Sequence, residues 1–280
     1  MHFKNPFSKD YNFDSLCSQL PELKSYVFTN EFGNRTIPFS DKKAVKFLNK
    51  ALLKTCYNVE WEIPEGNLCP PIPGRLDYLL HIKDLIDKET IHLLDIGTGA
   101  NLIYPILGTC HFDWKCTASE VDLNSLKNAQ QLILENKLLK SIDLRQQKYK
   151  TKIFDTLIRP QDFFDVVVCN PPFFKNSLNA QQSNQRKARN LDLTETNTLN
   201  FGGQSNELWY KGGEEAFVKK MAEESAQFKN QVRWFTSLVS RKEHLKIIKR
   251  FINKTKPTEV RIIDMEQGNK KSRFVAWTFL

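Results

Sequence analysis

Four consecutive residues near the middle of the chain, Asn170, Pro171, Pro172 and Phe173, combine side-chain types that can act on a planar nitrogen. They follow Val166, Val167, Val168 and Cys169, an apolar, β-branched run that reads as a strand buried on both faces of a parallel sheet. Prolines have no N–H for a neighbouring strand and fix φ near about −65°, so the backbone must leave the sheet there along a stiff path. The proline after it also keeps Asn170 extended. At its plainest this is a rigid strand-to-loop connection. It nevertheless presents an amide side chain, a carbonyl the sheet cannot recruit, and two rings, Phe173 and Phe174, at the carboxyl end of a parallel strand.

A second group of residues could hold a small anionic or zwitterionic molecule. LLDIGTGAN, residues 93–101, is a glycine-rich turn after a short apolar strand; Gly97 and Gly99 allow close backbone approach and positive φ, and the following helix offers free N–H groups. Asn101 stands where a third glycine would come in G-x-G-x-G spacing, so the turn departs from a dinucleotide fingerprint. Asp95 precedes the turn, where a pyrophosphate would disfavour it; the D-x-G-x-G pattern of methyltransferases places an acid there, near a methionine ammonium. Glu120 ends the next strand, where a carboxylate can accept from both hydroxyls of a ribose. Asp122 reads as a helix cap. Arg75, in PPIPGRLDY, either makes an ordinary surface ion pair or offers a bidentate fork to a carboxylate.

These residues need a scaffold that brings strand ends together, and the pattern from residue 90 onward predicts one. Strands are expected at 91–96, 115–119, 142–146, 166–169 and 232–239, alternating with helices beginning at 100–108 and spanning 123–137, 214–228 and 242–252. Such alternation predicts a parallel sheet with crossover helices. VRIIDMEQ and SRFVAWTFL, separated by Gly268-Asn269-Lys270-Lys271, read as a closing hairpin. The expected fold class is therefore α/β: a Rossmann-like, mostly parallel seven-stranded sheet with a terminal antiparallel hairpin, the architecture of S-adenosylmethionine-dependent methyltransferases. Residues 89–280 form that domain, and residues 1–88 a mainly helical extension, with Ser40 or Asp41 capping a helix and Pro70 to Gly74 forming an irregular connector before the helix 76–86.

Composition narrows the classes. No apolar run approaches the roughly 18 residues of a membrane helix, and the first residues lack a signal-peptide core, so a cytoplasmic location is expected. Six cysteines and five histidines show no ligand spacing, which predicts no metal and no disulfide framework. A net charge of +9 favours a polyanionic partner. Between Phe174 and Leu191 no acid occurs, whereas Lys175, Arg186, Lys187 and Arg189 are basic; the segment is a solvated loop or one that tracks phosphates. The basic run Arg241, Lys242, Lys246, Lys249 and Arg250, with Lys270, Lys271 and Arg273, extends that surface or is merely solvated.

With a methyl donor in such a sheet, the Asn170 segment gains a specific meaning. The lone pair of an exocyclic adenine amine is delocalised into the ring. Accepting both its N–H groups, on the Asn170 side-chain oxygen and the Pro171 carbonyl, exposes that lone pair, and proline fixes the carbonyl beforehand. Phe173 would stack on the unstacked base, with Phe174 a second candidate. The tetrapeptide with Tyr in its last place serves glutamine-N5 methylation, so the motif implies a planar nitrogen first and adenine second; a protein glutamine methyltransferase is the alternative.

LCPPIPGRLDY, DIGTGANLIYP, CNPPFF, RKARNL, LNFGGQSNELWYKGGEEAFVKKM, WFTSLVSR and QGNKKSRFVAWTF together resemble the ribosomal RNA large subunit methyltransferase F family over nearly the whole chain. That resemblance implies S-adenosylmethionine-dependent N6 methylation of one specific adenine of bacterial 23S ribosomal RNA, naked or in a large-subunit assembly intermediate; a monomer is expected. It implies that Arg75 binds the cofactor carboxylate, with Asp95, Gly97, Gly99, Glu120 and Asn170 around the cofactor, and that residues 170–173 are catalytic. Residues 1–88 would contact RNA and cover the cofactor. A related eukaryotic branch that methylates U6 RNA shares PxRLxY, DIGTGA and NPPFF but not the segment from Phe201 to Trp209. Two departures stand out: Phe174 replaces the family's usual His, and the strand ending RQQK carries no acid for the cofactor's adenine.

Overall fold

The computed structural model describes residues 1–174, 209–267 and 270–280. The N-terminal extension holds α1 (Phe13–Gln19), a two-stranded hairpin of β1 (Phe28–Thr29) and β2 (Arg35–Thr36), α2 (Lys42–Tyr57) and α3 (Ile72–Leu85). Asp41, rather than Ser40, caps α2, its carboxylate accepting from the Lys43 and Ala44 N–H groups at 2.7 and 3.3 Å. Asn58, left-handed at φ 53°, ends the helix.

The expected irregular connector is shorter than the prolines suggested. α3 begins at Ile72, with Pro73 in its first turn, so Arg75 sits on the helix and not on an approach to it. A first-turn proline has no N–H to miss and is preset for helical φ. The Arg75 N–H closes the first bond, to the Pro71 carbonyl at 3.1 Å.

The sheet contains β3 (His92–Ile96), β4 (Lys115–Glu120), β5 (Ile142–Gln146), β6 (Phe164–Cys169), β7 (Val232–Leu238), β8 (Glu259–Gln267) and β9 (Lys270–Thr278) in the order β5-β4-β3-β6-β7-β9-β8. The first five strands pair in parallel, and β9 enters antiparallel between β7 and β8. Helices α4 (Ile103–Phe112), α5 (Leu123–Glu135), α6 (Gly213–Ser225) and α7 (His244–Lys254) complete the crossovers. Strands β3 and β6 are buried on both faces and show no polar alternation, their buried acids Asp95 and Asp165 apart. Val166 and Val168 face one core and Val167 and Cys169 the other, the alternation a pleated strand requires. The first core, which α4 and α5 share, runs on into the extension through Leu23, Ile37, Leu48 and Leu52, so residues 1–88 pack against one side of the domain.

As expected, Asp122 accepts from the Ser125 N–H at 2.8 Å and caps α5. Glu214, in the first turn of α6, is buried, accepting from the Ser240 N–H at 2.7 Å and contacting His244 Nδ1 at 2.6 Å, which ties α6 to the end of β7. The turn expected at Gly268 and Asn269 lies outside the described residues. Among the described residues no helix is long and apolar enough to cross a membrane, and no group of three or more His, Cys, Asp or Glu side chains could hold a metal.

Candidate active site

Parallel strands in this order leave a crevice at their carboxyl ends where the winding reverses between β3 and β6. A cavity of about 310 Å³ lies there, the lower end of the range for small-molecule sites. Arg75, Gly97, Gly99, Glu120, Asn170 and Pro172 line it together, although the sequence separates them by up to 97 residues. Asp95, buried beside the turn, does not line the cavity, and neither do Pro171, Phe173 and Phe174, the last two half-buried next to Pro172. Lys175, Arg186, Lys187 and Arg189 lie outside the described residues.

The glycine turn is held by the strand next to it. Gly97 and Gly99 have φ of 72° and 64°, a region where a side chain would be strained. Glu120 accepts from the Gly99 N–H at 2.9 Å with one oxygen and from the Val121 and Asp122 N–H groups at 2.7 and 2.9 Å with the other. The Thr98 N–H donates to the Ser119 carbonyl at 2.9 Å. Glu120 thus shapes the turn as well as facing the cavity, a structural duty that its place at a strand end did not disclose.

Unmet polar groups gather here. Arg75 Nε, Thr98 Oγ1, Asn170 Oδ1 and Trp209 Nε1, all on cavity-lining residues, are buried without a hydrogen-bond partner among the described residues, as are both oxygens of Asp95. Burial pushes the Asp95 carboxyl up to about 7; nearby Thr98 opposes this from outside hydrogen-bond geometry, Glu120 adds to it, and Arg75 opposes it. Arg75 Nη1 donates to the Tyr104 hydroxyl at 2.8 Å, and the guanidinium lies 5.6 Å from that ring's centre. Burial raises the Tyr104 hydroxyl to about 12, so it remains a neutral acceptor that aims the arginine.

This donor set fits an amino-acid moiety: an unpaired buried carboxylate suits an ammonium, and an arginine with an unused Nε suits a carboxylate. A Cβ built on Gly97 meets nothing within 4 Å, so the turn leaves open space where a ligand can approach the backbone. Sequence reasoning missed Tyr104, which has no motif of its own, and gave no role to Trp209, Tyr210 and Phe217, which also line the cavity. Phe174 and Trp209 form a parallel bridge, and the Tyr210 N–H donates to the Phe174 carbonyl at 3.0 Å.

Strand order, antiparallel last strand and glycine turn define a Rossmann-like S-adenosylmethionine-dependent methyltransferase. The profile of a family described as RNA methyltransferase matches residues 1–280, and the chain belongs to that family. It is 46% identical over 289 residues to ribosomal RNA large subunit methyltransferase F of Pectobacterium carotovorum subsp. carotovorum (strain PC1), covering 100% of this chain and 93% of the relative. Among solved structures it is similar to the hMettl16 catalytic domain in complex with MAT2A 3'UTR hairpin 1, with TM-score 0.86 and 32% identity over 100% of this chain and 96% of that one. It is likewise similar to the N-terminal domain of human METTL16 in complex with SAH, with TM-score 0.81 and 28% identity over 100% and 99% of the two chains.

Proposed function

We propose that this protein transfers a methyl group from S-adenosylmethionine to N6 of one adenine in 23S ribosomal RNA. The observation that carries this reading is the unpartnered, buried Asn170 Oδ1 lining the same cavity as the glycine turn. Arg75 would grip the cofactor's carboxylate, Asp95, buried behind the glycine turn, its ammonium, and Glu120 its ribose, with Gly97 leaving room for it. The cofactor supplies a sulfonium-activated methyl group, so the reaction needs no metal and no covalent enzyme intermediate.

Asn170 Oδ1 and the Pro171 carbonyl accept the two amine N–H groups and turn the nitrogen lone pair toward the donor. Neither acceptor is a base at neutral pH, so the surplus proton leaves to water after transfer. Pro171 and Pro172 hold the carbonyl in place beforehand, which removes reorganisation from the reactive step. Phe173 stacks on the base, with Phe174 beside it. The basic segment Lys175, Arg186, Lys187 and Arg189 follows phosphates, and one chain, acting in the cytoplasm as a monomer, suffices for the chemistry. Residues 1–88 contact RNA and cover the cofactor, a role supported by Leu68, Pro70 and Arg75 in the cavity wall.

Tritium transfer from S-adenosylmethionine, offered separately to bare 23S transcript, large subunits from cells lacking the enzyme, and release factor, tests the reading. Label is expected on RNA, recovered as N6-methyladenosine after digestion. Label on a release-factor glutamine would replace it.

A further inference from the structure

An amine can be gripped by acceptors alone, but acceptors do not tell adenine from other amines. Adenine differs in presenting its amine between two ring nitrogens, N1 and N7, both acceptors. A site selective for it needs a donor beside the amide, and the described wall of the cavity contains an unused one. Trp209 lines the cavity with Asn170, and its indole N–H is buried without an acceptor among the described residues. By contrast, Trp61 Nε1 donates to the Asn101 carbonyl at 2.9 Å and Trp277 Nε1 to Ser225 Oγ at 3.0 Å. Trp114 Nε1 also lacks a partner among the described residues, but it does not line the cavity.

Trp209 is also pinned to the segment that carries the acceptors. The bridge to Phe174 and the bond from the Tyr210 N–H to the Phe174 carbonyl fix it four residues beyond Asn170 along the same strand exit. A buried donor held this way, with no acceptor among the described residues, can meet a ligand acceptor, and its desolvation penalty then falls on any ligand lacking one.

We infer that Trp209 is a specificity-determining residue whose indole N–H donates to a ring nitrogen flanking the target amine, N1 or N7, while Asn170 Oδ1 accepts from the amine itself. The inference rests on the proposed adenine-N6 activity. A base without a ring acceptor there leaves the indole N–H buried and unmet, a loss of about 10- to 100-fold in kcat/KM.

The test is a cycle between enzyme and base. Ligated 23S RNA, as bare transcript or reconstituted subunit, carries adenosine, 1-deazaadenosine or 7-deazaadenosine at the position the wild-type enzyme labels. Wild type is expected to lose about 10- to 100-fold in kcat/KM on one of the two analogues. Trp209→Phe, which keeps the ring, is expected to lose a similar factor on adenosine and nothing further on that analogue. Its S-adenosylhomocysteine affinity should match wild type, which also verifies folding. Equal wild-type rates on all three bases would overturn the contact whatever the variant does. So would losses that multiply in the cycle, or a Trp209→Phe loss matched by lost S-adenosylhomocysteine affinity. Absence of wild-type label on any RNA would instead remove the adenine-N6 reading and this contact with it.

Discussion

Ile96 and Cys169 are register partners in the β3–β6 ladder, so the next residues, Gly97 and Asn170, leave adjacent parallel strands at the same level. The glycine turn and the amide therefore open side by side into one cavity. Parallel pairing fixes this level, because slipping it by one residue would turn every β6 side chain to the opposite core.

The first prediction concerns that amide. Asn170→Ala should lower single-turnover methyl transfer by about 100-fold or more, the scale of losing one preorganised polar contact to a transition state. S-adenosylhomocysteine affinity, measured by calorimetry, should stay within several fold, since the change lies at the amine. Unchanged turnover would remove the polarising role from Asn170.

Arg75 should act on the other substrate. Its planar fork is placed by the Tyr104 hydroxyl, which an ammonium cannot reproduce at the same site. Arg75→Lys is expected to weaken S-adenosylhomocysteine binding by about 10- to 100-fold, the range of a charge-assisted hydrogen bond, with turnover at saturating cofactor largely retained. A loss confined to turnover would place Arg75 at the chemistry instead of the cofactor.

The third prediction is electrostatic. Arg186, Lys187 and Arg189 together changed to Gln should weaken RNA binding and flatten its dependence on salt, each phosphate no longer neutralised taking roughly 0.7 to 0.9 off the logarithmic slope, while cofactor affinity stays unchanged. Filter binding across a salt series measures the slope; a slope equal to wild type would make the segment merely solvated.

Much of this was legible in the chain. The strand and helix alternation after residue 90 foretold the sheet because buried parallel strands are almost purely apolar and their connections helical. Glycines before a helix and the NPPF segment after a strand marked the cavity because their backbone constraints are local. What the sequence did not disclose is long-range. The Tyr104 hydroxyl gains meaning only when α4 lies beside α3, and Trp209 only when the chain returns to Phe174. Glu120 looked like a ligand residue alone, since no spacing rule reports that a strand-end carboxylate will hold the neighbouring strand's turn. Pro73 was misleading in the other direction, because the same ring that breaks a helix interior begins one.

The buried acid makes the last prediction. Asp95 has an ordinary value of 3.8, raised in the folded protein to about 7, mainly by burial. Between those values the folded chain keeps a proton that the unfolded chain has lost. The unliganded protein therefore loses stability as pH rises through that window, opposite in sign to a salt-bridged carboxylate. A cationic ammonium reverses the preference by favouring the ionised form, so S-adenosylhomocysteine should bind more tightly as pH rises towards about 7, with a proton released on binding there, and level off above it. Asp95→Asn cannot ionise. It should bind the ligand more weakly than wild type at about pH 8.5, show a flatter affinity between about pH 5.5 and 8.5, and lose less thermal stability over that span without ligand. Calorimetry in buffers of differing ionisation heat reads the proton count. Parallel pH profiles for the two proteins would mean that the ammonium is held elsewhere.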